Sequence, residues 1–121
     1  MDTITGKIEK YWVHLQAGPT KKQPLNPRAI IRCYNDNSLI LEANFYPGKK
    51  RIPENYYSIN SKLVYLRYPM SMYSQILDLL RNEKPIYFRF NESSKVGFIR
   101  TGKEPVGEGE FDELELEGAI G

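Results

Sequence analysis

The strongest constraint on this chain is its period. The dominant pattern is alternation of apolar and polar residues at every second position, and only one stretch switches to helical spacing. Side chains two apart share a face of an extended strand, so such a chain folds by pairing half-buried strands. In residues 3–16, Ile4, Gly6 and Ile8 share one parity, whereas Tyr11, Val13 and Leu15 share the other. One extra residue moves an apolar set to the opposite face, so the slip predicts one long strand with a bulge or sharp bend. Gly6 permits close backbone approach near that bend.

Residues 17–27, with three prolines, read as a loop. Residues 28–35 and 38–46 read as strands joined at Asp36-Asn37, a pair that tolerates the left-handed turn of a tight hairpin. In the second strand, Leu39, Leu41, Ala43 and Phe45 alternate with Ile40, Glu42, Asn44 and Tyr46. Residues 47–61 read as a second long loop, a length that is uncommon and often functional. Residues 62–68 read as a further strand. Tyr73, Ile76, Leu77 and Leu80 then fall at i, i+3, i+4 and i+7, which predicts a helix over 69–82, with Ser71 as its cap and Pro85 beyond its end. The helix turns Gln75, Asp78 and Arg81 outward. A final hairpin runs through Ile86, Phe88 and Phe90, a polar turn at 91–94, and Val96 and Phe98.

The expected fold class is mainly β (α+β). It is a small antiparallel, partly open barrel of five to six strands, with one helix between the fourth strand and the last hairpin. That element order is the order of an OB-fold barrel with a strand added at 62–68 before the helix, and a different small, partly open barrel or a helix-capped antiparallel sheet fits nearly as well. The chain has 121 residues, 40% of them apolar and 26% charged, which suits one domain with a core. The expected domain is residues 1–103, followed by an acidic segment at 104–121.

The formal charge of +2 conceals that division. All 17 Lys and Arg lie in residues 1–103 with 8 acids, whereas residues 104–121 hold 7 acids and no base. The single cysteine, Cys33, forbids an internal disulfide, and no Cys/His cluster has zinc spacing. No apolar run reaches membrane-span length, and the first residues lack a signal-peptide pattern, so the expectation is a cytoplasmic protein without membrane contact. The single histidine, His14, and Cys33 form at best a strand-to-strand dyad. Cys33 reads better as a small core side chain and His14 as a surface residue. Glu108, Glu110, Asp112 and Glu113 lack the spacing of a calcium loop. Gly102, Gly107 and Gly109 lack the strand-to-helix context of a phosphate loop. No catalytic residue, metal ligand or cofactor is expected, and the chain reads as a non-enzymatic binder.

Basic and aromatic residues interleave on the strands. Arg32 lies near Tyr34 on one polar parity, and Tyr87 near Arg89 on another. Arginine and lysine neutralise phosphate, and a tyrosine ring stacks a base without reading its sequence. The expected surface for single-stranded DNA or RNA therefore comprises Arg32, Tyr34, Tyr46, Lys49, Lys50, Arg51, Tyr87 and Arg89. The alternative is a protein-interaction or assembly subunit, with a homo-oligomer among its forms. It would use a sheet edge or Phe111, Leu114 and Leu116 of the acidic segment. A weaker third reading is a pocket for a small anion under the 47–61 loop. The acidic segment itself reads as a flap over the basic body, a hook for a partner, or a structural cover.

Overall fold

The computed structural model describes residues 3–17, 27–48 and 51–102. Among the described residues eight strands run in the order β1 (Thr3–Ile8), β2 (Lys10–Leu15), β3 (Ala29–Asn35), β4 (Ser38–Tyr46), β5 (Tyr56–Ser58), β6 (Leu63–Pro69), β7 (Ile86–Asn91) and β8 (Val96–Thr101). A single 3-10 turn, Met70–Met72, and the helix α1 (Tyr73–Asn82) separate β6 from β7. The fold is mainly β, as the alternation requires. The strands form a three-stranded sheet ordered β1-β7-β8 and a five-stranded sheet ordered β2-β3-β4-β6-β5. They do not close into a barrel.

The parity slip in residues 3–16 becomes a change of sheet. β1 pairs with β7, and β2, one residue later, pairs with β3. Ile4, Gly6 and Ile8 face the core from one sheet, and Tyr11 and Val13 pack on it from the other. The junction is held by the Glu9 N–H, which donates to the Tyr34 carbonyl at 2.8 Å, and by side chains. Asn35 donates its amide to the Lys7 carbonyl at 3.0 Å, and the Asp36 N–H donates to the Glu9 carboxylate at 2.8 Å. On the far side no backbone ladder joins β8 to β6, and Asn55 bridges instead. It accepts from the Arg67 N–H at 2.7 Å and donates to the Lys95 carbonyl at 2.9 Å.

Four expectations are corrected. First, the sheet is not wholly antiparallel, because β4 and β6 pair in parallel. A parallel pair needs a long crossover, and residues 47–62 supply it. Second, that stretch is not only loop, because Tyr56–Ser58 pairs with β6 as its edge strand. With the division at Glu9, this raises the strand number to eight. Third, a bulge opposite Cys33/Tyr34 places Leu39 across from Tyr34 and Leu41 across from Cys33. The extra residue, Ile40, therefore packs on the core instead of joining the polar parity. Fourth, Ser71 does not cap α1, since Pro69 ends β6 and the 3-10 turn leads directly into the helix without a side-chain cap. The hairpin at Asp36 forms as expected, with Asp36 at φ 59.

Both sheets turn their apolar parity into one core containing Ile31, Leu41, Phe45, Val64, Leu66, Phe88 and Phe90. The helix adds Ile76 and, half-buried, Tyr73, Leu77 and Leu80, the residues of its apolar stripe. Phe45 stacks on Tyr68 at 5.5 Å and meets Tyr73 edge-on at 5.3 Å. Each such pair adds about 0.5–1.5 kcal/mol beyond simple burial. The two sheets meet tightly at Gly97. A Cβ there would lie 2.5 Å from Leu66 Cδ2 and 2.9 Å from the Arg89 carbonyl oxygen. The carbonyl belongs to a paired strand and cannot yield as a flexible side chain does. Gly97→Ala should therefore destabilise the protein by about 1–3 kcal/mol, an overpacking cost. Urea unfolding measures this, and an unchanged midpoint would refute the close-approach argument.

Candidate nucleic-acid interface

The basic and aromatic residues expected to share one groove divide between the two sheets. Arg32 and Tyr34 are outward on β3, in the five-stranded sheet. Tyr87 and Arg89 are outward on β7, in the three-stranded sheet. The division follows from β1 and β2, which send the hairpin β3-β4 and the hairpin β7-β8 to different partners. Tyr46 is buried at 5% exposure. Burial pushes its phenol pKa up; Arg67 nearby opposes this and Glu42 adds to it. Its ring offers no platform to solvent. Arg51 is exposed. Lys49 and Lys50 lie outside the described residues, as do Phe111, Leu114 and Leu116.

On the five-stranded sheet Lys10 is exposed, whereas Arg32 and Arg67 are engaged by neighbouring groups. Arg32 Nε donates to Glu42 at 2.9 Å, and its guanidinium sits 4.9 Å from the centre of the Trp12 ring. Trp12 Nε1 donates to the Tyr34 hydroxyl at 2.8 Å. Asn44 donates to the second Glu42 oxygen at 3.1 Å and accepts from Arg67 Nε at 3.3 Å. Arg67 also donates to the Glu54 carbonyl at 2.6 Å and lies over Tyr65 at 5.3 Å. Register produces this network, since Trp12, Arg32, Glu42 and Tyr65 are successive cross-strand partners, as are Asn44 and Arg67. A phosphate there would have to compete with a carboxylate already in place.

The three-stranded sheet is different. Its outward positions form three rows: Lys7, Tyr87 and Arg100; Thr5, Arg89 and Phe98; Thr3, Asn91 and Val96. These nine strand positions carry three cations and no carboxylate. Arg100 lies over the Tyr87 ring at 5.6 Å. Phe98 is 41% exposed and Val96 58%, high values for such side chains in strands. Lys7 and Arg89 are exposed and form no ion pair with a described residue. The face thus offers two aromatic rings among three positive groups. The expectation from sequence included Tyr87 and Arg89 but missed Lys7, Phe98 and Arg100. The signal was the polar parity of residues 3–7 and 96–100, readable only once both are known to flank β7.

Beside this face lies a cleft of about 660 Å³. Lys7, Arg81 and Lys84 line it together with Glu9 and Glu83, so its charges are mixed. No group of three or more His, Cys, Asp or Glu among the described residues is arranged to hold a metal ion. No helix among them is long and apolar enough to cross a membrane. His14 is outward and exposed on β2, whereas Cys33 is fully buried on the opposite side of the sheet. The two therefore do not form a dyad.

Burial pushes the Cys33 thiol up from 9.0 to about 12, and burial with the adjacent Cys33 pushes the Tyr68 phenol up to about 12. Both groups stay protonated in the fold while the unfolded chain ionises. The unfolded state therefore binds fewer protons above pH 9, and stability falls as pH rises from 9 towards 12. Between pH 8 and pH 10.5 the loss through Cys33 should be about 2 kcal/mol. Denaturant unfolding of Cys33→Ala at the two pH values should show that much less pH dependence than the unaltered chain. Equal pH dependence would contradict the assignment.

Comparison with models of known protein families, with curated proteins and with solved structures finds no match to this chain.

Proposed function

We propose that the protein is a non-enzymatic module that binds single-stranded nucleic acid on the outward face of β1, β7 and β8. One observation carries the reading: Lys7, Arg89 and Arg100 surround Tyr87 and Phe98 on a face whose nine strand positions hold no carboxylate. Cations neutralise phosphates and release counterions, while exposed rings stack bases with little regard for sequence. The partly open, OB-like reading of the two sheets belongs to this proposal, since the first strand serves both of them. Arg32 and Tyr34 then support the other sheet, and Arg51 flanks it.

The sole tryptophan makes the face testable, because Trp12 stands on the five-stranded sheet. A labelled oligothymidylate should bind in low salt, with log K falling against log salt at a slope of about −2 for three phosphate contacts. Arg89→Ala should make the slope shallower by about 0.7. Phe98→Ala should cost about 1–3 kcal/mol of binding. Trp12 fluorescence should stay unchanged at saturation. Absence of binding in low salt ends the proposal, and binding that quenches Trp12 but ignores Arg89→Ala moves it to the wrong sheet.

A second reading, self-assembly through a sheet edge, rests on β2. It is an edge strand, and Leu15 on it is 64% exposed. The Gln16 N–H pairs with the Arg28 carbonyl at 2.8 Å, so antiparallel alternation points the amides of Tyr11, Val13 and Leu15 away from β3. Two β2 edges pairing would use those amides. Val13→Pro deletes one of them without touching the ladder to β3. Light scattering should show a concentration-dependent dimer that this substitution abolishes, and a monomer at all concentrations rules the reading out.

A further inference from the structure

We infer that the basic face of β1, β7 and β8 is the docking site of the chain's own acidic segment, residues 104–121. The docking itself does not depend on the nucleic-acid reading, whereas its consequence, competition with phosphate, does. Charge complementarity is the first argument. The segment carries 7 acids and no base, and the face carries Lys7, Arg89 and Arg100 with no acid among its nine strand positions. On the five-stranded sheet, by contrast, Arg32 is already paired with Glu42, and Arg67 is held by Asn44 and the Glu54 carbonyl.

Connectivity is the second argument. The segment follows β8, the edge strand of this same sheet, which ends at Thr101. From Thr101 back to Val96 the face extends about 17 Å. The nine residues that follow Gly102 as far as Phe111 can reach at most about 30 Å by covalent geometry. Phe111, the first aromatic residue of the segment, is thus within reach of the whole length of the face, and the effective concentration of such a tethered group is on the order of millimolar. Chemistry is the third argument. Phe98 and Val96 are exposed beside the cations. In the segment Phe111, Leu114 and Leu116 stand among carboxylates. Each side pairs apolar groups with charge of one sign, and the signs are opposite.

The contact can be read without any nucleic acid. The full chain carrying Ala119→Cys accepts a nitroxide at that position, because the native Cys33 is fully buried. In low salt the amide signals of Tyr87, Arg89, Phe98 and Arg100 should broaden, and high salt or Arg89→Glu should restore them. Broadening of Trp12 and Tyr65 instead, or of neither face, overturns the inference. Broadening seen only when labelled and isotopically enriched chains are mixed also overturns it, because the segment then belongs to a second copy.

The consequence is measured separately, with Glu110→Gln, Asp112→Asn, Glu113→Gln, Glu115→Gln and Glu117→Gln combined in the full chain. Oligothymidylate affinity should rise roughly three- to tenfold, as expected on removing a tethered competitor of sub-millimolar affinity. An unchanged affinity in a chain that binds oligothymidylate overturns the competition. Broadening on the basic face without any oligonucleotide binding by the neutralised chain leaves the docking in place and rejects the nucleic-acid reading.

Discussion

The passage of the first strand from one sheet to the other at Glu9 is the constraint on which the rest depends. β1 ends at Ile8 and β2 begins at Lys10, so a single residue separates two pairing directions. The apolar set changes parity there, which keeps both halves facing one core. Had the parity continued, Tyr11 and Val13 would point to solvent and the five-stranded sheet would lose part of its buried face. The junction interrupts the regular register, and Asn35 and the Glu9 carboxylate add side-chain hydrogen bonds to the single backbone bond from Glu9 N–H to the Tyr34 carbonyl. Asn55 does the same at the opposite seam, where β8 and β6 share no ladder. Gly97 leaves room there for the Leu66 side chain of the other sheet.

This arrangement also sorts the charges. The five-stranded sheet is wide enough that Arg32 and Arg67 have neighbours on both sides, and register supplies Glu42 and Asn44 as those neighbours. Their hydrogen bonds are made within the protein, and the half-buried Glu42 would keep only the neutral Asn44 amide as a partner if Arg32 turned to a ligand. The three-stranded sheet has only one central strand. Its flanking strands bring lysine, arginine, threonine and phenylalanine to the outer face but no acid. Two faces with similar basic and aromatic content therefore differ in whether a carboxylate stands among their cations.

Much of the fold was legible in the sequence. The hairpin at Asp36, the strand before the helix, the helical stripe and the last hairpin follow from local periodicity and turn chemistry. The bend in residues 3–16 was visible as a parity slip, though not as a change of sheet. The parallel pairing of β4 with β6 and the short strand β5 were not visible, because three residues carry no readable period and direction is set by a crossover. The Ile40 bulge was hidden for a related reason. Alternation assigns a residue to a face only while the register stays regular, and the partner strand decides where it shifts. The expected site suffered most. Arg32, Tyr34, Tyr87 and Arg89 were each correctly placed on a polar parity, but parity says nothing about which sheet a strand enters.

By itself the sequence determined the class of structure, a mainly β fold with one helix, and the separation of a basic body from an acidic end segment. Those properties are local or additive, so spacing and charge along the chain suffice to state them. The tertiary structure alone decided which strands are neighbours, and therefore which side chains stand across from one another. It gave Arg32 a carboxylate partner, buried Tyr46, and brought Lys7 and Arg100 to either side of Tyr87. The physical reason is that cross-strand contact joins residues far apart in sequence through backbone register, and no local pattern encodes a register.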